Sequence, residues 1–590
     1  MFFLKKIRTI LTKHALVLVC ALGVGAISVA PYLLAQRALG NEYRGVHYVF
    51  MDDEPGYMAR VREVVEGHGW LGSPFLYEYK DAKPIIPPFG EYWYAALNIL
   101  TQTSLSATLL LAKFLFPSVL FLLIYFFVYQ FGDRSSLWVD KLAPLLAAFL
   151  VTLGYDLVDV RSVLHWLQGS PGFHAIVWTR PVNPVTGALL VFTFLLLLKK
   201  ILDKNAVNTK YLFVICGLAI TLSIGYFFAW GMILALVGVI FFGTLLRREY
   251  HLSKKIILIG VIAFLMSLPI LLRVFTSLHS AQGALLSQRN GLFYSHAPIV
   301  NWLVLAVTIV FILVSLVRYL KQGKKVLLED DAWNWSVYML GASWLVFNQQ
   351  IITGRVVWYP HFVQYTIPLM MVIMTLLGER LLKLWRIQVW YAVSLLGIMC
   401  SLAYGLAATT TYRSNLAEFK EIQKYRVVFD WLNTHAPDPC VVLPLEPNKQ
   451  YSLMIRAFTR CNLYVANTER FYAVPDDRQK HNFFLLMRLR GVRSEGIETY
   501  LDQHDGEVIN YFFENWDELF SSRLSSRLIE VRKQLPNEYR DFLKNNFSDE
   551  VYKYKVNYLV SENELSSVVM ESLPKLKLIG AFEGLFLYEL

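Results

Sequence analysis

Residues 211–246 read YLFVICGLAITLSIGYFFAWGMILALVGVIFFGTLL, 36 positions without one charged side chain. A bilayer-crossing helix needs roughly 20 mostly apolar residues. The stretch is too long for one crossing and long enough for two, joined at Ile224-Gly225-Tyr226. That reading sets the parity of every later crossing. Outward from it, further apolar runs occur at 15–36, 105–131, 138–155, 182–198, 256–272, 298–320, 332–350, 362–378 and 388–410. Together they predict about eleven transmembrane helices.

Basic residues mark the cytoplasmic side of short loops. Lys5, Lys6, Arg8 and Lys13 precede the first run, and Arg134 follows the second. Lys199, Lys200, Lys204 and Lys210 come next, then Arg247, Arg248, Lys254 and Lys255. Lys321, Lys324 and Lys325, and finally Arg380, Lys383 and Arg386, complete the series. They fall at every second connection, and counting 211–246 as one crossing would break the alternation. The N-terminus is thus predicted to be cytoplasmic, with the first long loop (37–104) and everything after 410 extracytoplasmic. The first run is too long for a signal peptide and lacks its small-residue cleavage site, so it is read as a helix.

Composition agrees. Of 590 residues, 55% are hydrophobic and 17% charged, against about 25% charged in an ordinary soluble domain, and the mean hydropathy is +0.42. Residues 1–410 hold 33 Lys and Arg against 19 Asp and Glu; residues 411–590 hold 23 against 26. The basic excess therefore belongs to the membrane part and calls for no nucleic acid. The fold class expected is an α-helical polytopic membrane protein, residues 1–410, followed by an extracytoplasmic mixed α/β domain, residues 411–590. In the latter, 419–432 and much of 505–547 read as helix, and 440–443, 558–560 and 585–588 as strands. Cys440 and Cys461 both fall there, where oxidation is permitted, and form a disulfide candidate.

The first outer loop carries the densest chemistry. It reads Met51-Asp52-Asp53-Glu54-Pro55-Gly56-Tyr57, continues through Arg60, Arg62, Glu63 and Trp70, and reaches Lys83-Pro84 and Glu91-Tyr92-Trp93. Carboxylates this close together at an apolar boundary raise one another's pKa, which suits a general base. The same run, starting a helix at Pro55, also reads as an N-cap.

Asp-Glu-Pro-x-Tyr, the following Arg-Glu, a Trp, Lys-Pro and Tyr-Trp resemble integral-membrane glycosyltransferases of the C-type fold (GT-C). The nearest pattern is that of protein O-mannosyltransferases and of the aminoarabinose transferases that modify lipid A. The resemblance implies that Asp53 lies at the sugar-transfer centre with Glu54 beside it, that Tyr57 belongs to the substrate site, and that Lys83 contacts a donor phosphate. It implies a polyprenyl-phosphate-linked sugar donor and a glycan, lipid or protein acceptor, with inversion at the anomeric carbon. Gly56 stands where the family often has Arg, and the spacing from Lys83 to Tyr92-Trp93 is longer than usual.

Other outer-side residues are candidates for the donor phosphate. Arg180 precedes a helix expected to begin near Pro181 or Pro184, and a guanidinium at a helix start binds phosphate well. Arg355 and His361 lie in a polar stretch, 348–361, between two crossings, where dense polar groups suggest a lined cavity. No cofactor is expected; Asp156 and Asp159 are the one oxygen-rich pair on this side that would suit a divalent metal, and a single pair falls short of a metal site. A phosphate-cradling glycine loop, zinc spacing and a Gly-x-Ser-x-Gly elbow are absent from the sequence. The span centres are nearly free of charge, which favours an enzyme over a lipid-linked glycan flippase. An oligosaccharide transferase or glycan polymerase is the alternative enzyme. A plasma (inner) membrane location is expected.

Overall fold

The computed structural model describes residues 14–50, 53–82, 86–132, 141–169, 176–203, 209–289, 291–323, 329–467, 469–472, 474–520 and 524–590. Lys83 and Asp52 lie outside these, as do the orientation-setting residues Lys5, Lys6, Arg8, Lys13, Arg134, Lys204, Lys324 and Lys325.

Each predicted run is helical: Ala15–Leu39, Leu105–Tyr129, Leu142–Thr152, Val185–Leu202, Lys210–Ser223, Phe227–Leu246, Tyr250–Leu278, Trp302–Gln322, Asp331–Asn348, Pro360–Trp385 and Ile387–Ala408. Among the described residues, 7 helices are long and apolar enough to cross a membrane by themselves. Leu142–Thr152 and Lys210–Ser223 are apolar but shorter. Asp331–Asn348 and Pro360–Trp385 are long but more polar, the latter carrying Glu379, Arg380 and Lys383 near its end.

The 36-residue stretch does break where expected. Lys210–Ser223 ends, and Phe227–Leu246 begins after Tyr226. Gly225 is required there by contact: a Cβ would stand 2.8 Å from Phe89 Cβ and 3.1 Å from the Pro87 carbonyl oxygen. The break between two helices thus receives the first loop, whose second helix is Phe89–Thr101.

Beyond residue 410 the chain forms a five-stranded sheet flanked by helices. The strand order is Asn462–Leu463, Val441–Pro444, Tyr558–Ser561, Leu585–Glu589, Lys577–Phe582. The first three are parallel and the last two run antiparallel to their neighbours. All three predicted strands are present to within a residue or so at each end. Cys440 and Cys461 are disulfide-bonded, next to the paired strands Val441–Pro444 and Asn462–Leu463.

The first loop is built into this second unit. Tyr48, Ala59 and Phe75 share one buried cluster with Phe419, Phe429, Leu463 and Leu587, and each large apolar side chain so buried contributes about 1.5–3 kcal/mol. The Leu463 N–H donates to the Phe75 carbonyl at 2.8 Å. Charges reinforce the seam. Arg456, fully buried, donates to Glu63 and Glu66, and Lys80 lies 2.9 Å from Glu63. The helix Glu54–Val65 is therefore held from the membrane side and from the sheet side.

Candidate active site

Asp53 occupies the N-cap position of Glu54–Val65, with Pro55 in the first turn. Its carboxylate makes no capping hydrogen bond. It accepts instead from the Arg180 guanidinium, and it is about half exposed, at 48%. The position matches the capping reading while the side chain does other work: it is presented to the surface against a cation.

Glu54 turns the other way. Its side chain is 1% exposed and takes the Lys113 ammonium at 2.7 Å. The Lys113 ammonium also donates to the Thr179 carbonyl at 2.9 Å and lies 4.0 Å from the Tyr32 ring centroid. Burial raises the Glu54 carboxyl above the ordinary carboxylate range; Lys113 opposes that and Asp53 adds to it. The two adjacent carboxylates thus diverge, and Glu54 serves as a buried anchor between the loop helix and Leu105–Tyr129 rather than as a second group beside Asp53. Lys113 is the partner that sequence reading missed. The signal was present, since it is the one charge within that 25-residue helix, and a charge so placed needs a partner.

Arg180 follows the short turn Val177–Thr179, which Trp178 pins by donating to the Val151 carbonyl at 2.7 Å. The following helix begins at Val185, with Pro184 as its N-cap, so Arg180 stands off the helix start rather than on it. Its guanidinium lies 5.2 Å from the Tyr57 ring centroid and 3.4 Å from the Tyr57 hydroxyl. Burial works against its charge, but Tyr57 and Asp53 more than offset this, and its pKa is raised. Burial likewise pushes the Tyr57 phenol up, opposed by Arg180. Arg60 completes this wall, 2.5 Å from the buried Glu91. Glu91 belongs to the Tyr-Trp element of the motif and holds the helix Phe89–Thr101 against Glu54–Val65.

His361 reaches the edge of the site through Tyr226. The Tyr226 hydroxyl is 3.2 Å from His361 Nδ1, and Arg180, Asp53 and Tyr57 all act electrostatically on that phenol. Asp53, Tyr57, Arg180, Tyr226 and His361 therefore form one neighbourhood, contributed by four separate stretches of chain.

Three sequence candidates are placed elsewhere. Arg355 donates to the Ser287 carbonyl and hydroxyl from the strand Arg355–Val357, which pairs with Gly291–Tyr294. Its guanidinium ties two segments of the chain together, 68 positions apart. The polar stretch around it does the same: Asn348 exchanges hydrogen bonds with Ile299, and Gln350 donates to the Ala297 carbonyl. These hydrogen bonds tie the stretch to the segment 287–299. Asp159 caps the helix Val160–Leu167, accepting from the Arg161 N–H at 3.1 Å, and its side chain also faces the Arg161 guanidinium. Asp156 lies against the Tyr404 hydroxyl. The two carboxylates thus have separate partners. Among the described residues no group of three or more His, Cys, Asp and Glu is placed to hold a metal ion.

No protein-family model and no curated protein sequence matches the chain. Solved structures do match over nearly its whole length. ArnT from Cupriavidus metallidurans bound to undecaprenyl phosphate is 12% identical, with 98% of each chain covered and a TM-score of 0.48. The oligosaccharyltransferase AglB from Archaeoglobus fulgidus, in complex with an inhibitory peptide and a dolichol-phosphate, is 14% identical, with 95% of this chain and 70% of that one covered and a TM-score of 0.45.

Proposed function

We propose that the chain is a membrane glycosyltransferase that moves a sugar from a polyprenyl-phosphate-linked donor to an acceptor on the outer face of the plasma membrane. One observation carries this reading: the acidic motif of the first loop delivers a half-exposed Asp53 carboxylate against Arg180 instead of spending it on the helix cap. A carboxylate base beside a cation is what displacement of a phosphate leaving group requires.

In the reaction, Asp53 takes the proton from an acceptor hydroxyl or amine. The acceptor atom bonds to the anomeric carbon as the bond from that carbon to the phosphate oxygen breaks. The electron pair leaves on polyprenyl phosphate, whose charge Arg180 and Lys83 meet. Arg180 turns from Asp53 to the phosphate once the donor is bound, which frees the carboxylate for the acceptor. Tyr57, Tyr226 and His361 line the approach.

All eleven helices are assigned to the membrane in this reading, with residues 411–590 outside. The Cys440–Cys461 disulfide supports that side, because such bonds persist in oxidising compartments. The donor half of the reading is tested with undecaprenyl phosphate on protein in nanodiscs. It should protect the wild type from thermal unfolding, and Arg180→Ala should weaken that binding about tenfold. A wild type indifferent to undecaprenyl phosphate would remove the lipid-phosphate donor.

A further inference from the structure

Away from Asp53, three guanidiniums converge on one carboxylate. Asp476 opens the helix Asp476–Leu489 and receives Arg289 and Arg470 on Oδ1 and Arg527 on Oδ2. Arg289 comes from the outer loop after Tyr250–Leu278, and the other three residues from the region beyond residue 410. Arg289 and Arg470 are each 3% exposed at the side chain, whereas Asp476 and Arg527 are 33% and 39% exposed. The Arg289 Nε atom is buried without an acceptor among the described residues. A second carboxylate, Glu518, is already occupied by the backbone N–H groups of Glu514 and Ser525. Arg470 also donates to the Phe513 carbonyl and to the Gln479 side chain. Among the described residues, the three guanidiniums outnumber the two carboxylates, and the exposed members of the cluster are Asp476 and Arg527.

Burying cations without matching anions is costly, and mutual repulsion shows in the result. Burial and then the neighbouring Arg289 push Arg470 down to about 9. An aromatic run joins this cluster to the rim of the Asp53 neighbourhood. His361 packs on Trp358, Trp358 on Trp516, and Trp516 stacks on Phe471, next in sequence to Arg470.

We propose that Arg289, Arg470 and Arg527 form a second anion site, which binds a phosphate group, with Asp476 standing where a phosphate oxygen would otherwise lie. Planar guanidiniums in this number match phosphate oxygens better than a single carboxylate does. The site does not depend on Asp53 being a base.

The test reads phosphate binding on the full chain in nanodiscs, at constant ionic strength with chloride as control. One arm uses inorganic phosphate in phosphatidylcholine discs. The other uses discs containing phosphatidic acid, without added phosphate. Protection against unfolding in either arm, weakened about tenfold in Arg527→Ala, supports the site and identifies its source. Arg527 is the most exposed member, so that variant should fold, and the difference from wild type separates this cluster from Arg180. Asp476→Asn supplies the opposite sign: it should tighten phosphate binding, because a competing anion is gone. Protection in neither arm, protection unchanged in Arg527→Ala, or weaker binding in Asp476→Asn would each reduce the cluster to an internal ion pair and overturn the proposal.

Discussion

Asp53 and Glu54 are neighbours in sequence that face opposite surroundings, one open to Arg180 and the other sealed against Lys113. The different surroundings predict different phenotypes. Asp53→Asn should lower transfer by about 10²–10⁴-fold, the range for loss of a general base, and leave the fold intact, as checked by thermal melting. Arg180→Lys should not restore function, because an ammonium cannot bridge two oxygens as a guanidinium does; the check is donor affinity measured beside Arg180→Ala. The acidic motif itself was legible from spacing and resemblance. Which of its carboxylates faces out was not, because that depends on Lys113, 59 positions from Glu54. Arg355 shows the converse. An outer-side arginine in a polar stretch looks like a ligand, but its partner Ser287 lies 68 positions earlier and cannot be paired with it by pattern.

At the scale of elements, the loop helix Glu54–Val65 is fixed at both ends by buried charge. Lys113→Met would leave Glu54 buried without its cation, and removing one partner of such a pair costs about 3–5 kcal/mol. Lys113→Met with Glu54→Gln should cost less than the single change, and thermal unfolding of the three proteins decides this. At the other end, Arg456→Ala strips Glu63 and Glu66 of a fully buried guanidinium. Loss of stability and loss of transfer should go together there, since the same helix carries Asp53. The apolar runs were legible because burial in lipid imposes their length and composition. Asp331–Asn348 and Pro360–Trp385 were found by the same pattern; the first carries Asp331, Asn334 and Asn348 among its apolar residues, and the second gathers Glu379, Arg380 and Lys383 at its end. The short strand Asn462–Leu463 was not legible: two residues carry no periodicity, and its existence depends on pairing with Val441–Pro444.

For the whole molecule, the first loop packs against both the apolar helices and the five-stranded unit, so the state of that unit reaches the loop that carries Asp53. Its pH response is set partly by Glu469, which is buried and accepts both hydrogen bonds of the Asn482 amide. Burial raises this carboxyl from 4.5 to about 7. Across that window the folded chain keeps a proton that the unfolded chain has lost, so stability falls as pH rises from about 4.5 to 7. Glu469→Gln should flatten that slope in melts recorded across the same range, and an unchanged slope would assign it to other groups. The most direct test of the central claim is transfer itself. Wild type and Asp53→Asn, each in nanodiscs, would receive a panel of radiolabelled polyprenyl-phosphate sugars and a membrane extract as acceptor source, with and without EDTA. The account predicts label on an acceptor with wild type alone, from at least one donor. Label transferred equally by Asp53→Asn, or by neither protein from any donor in the panel, would contradict it.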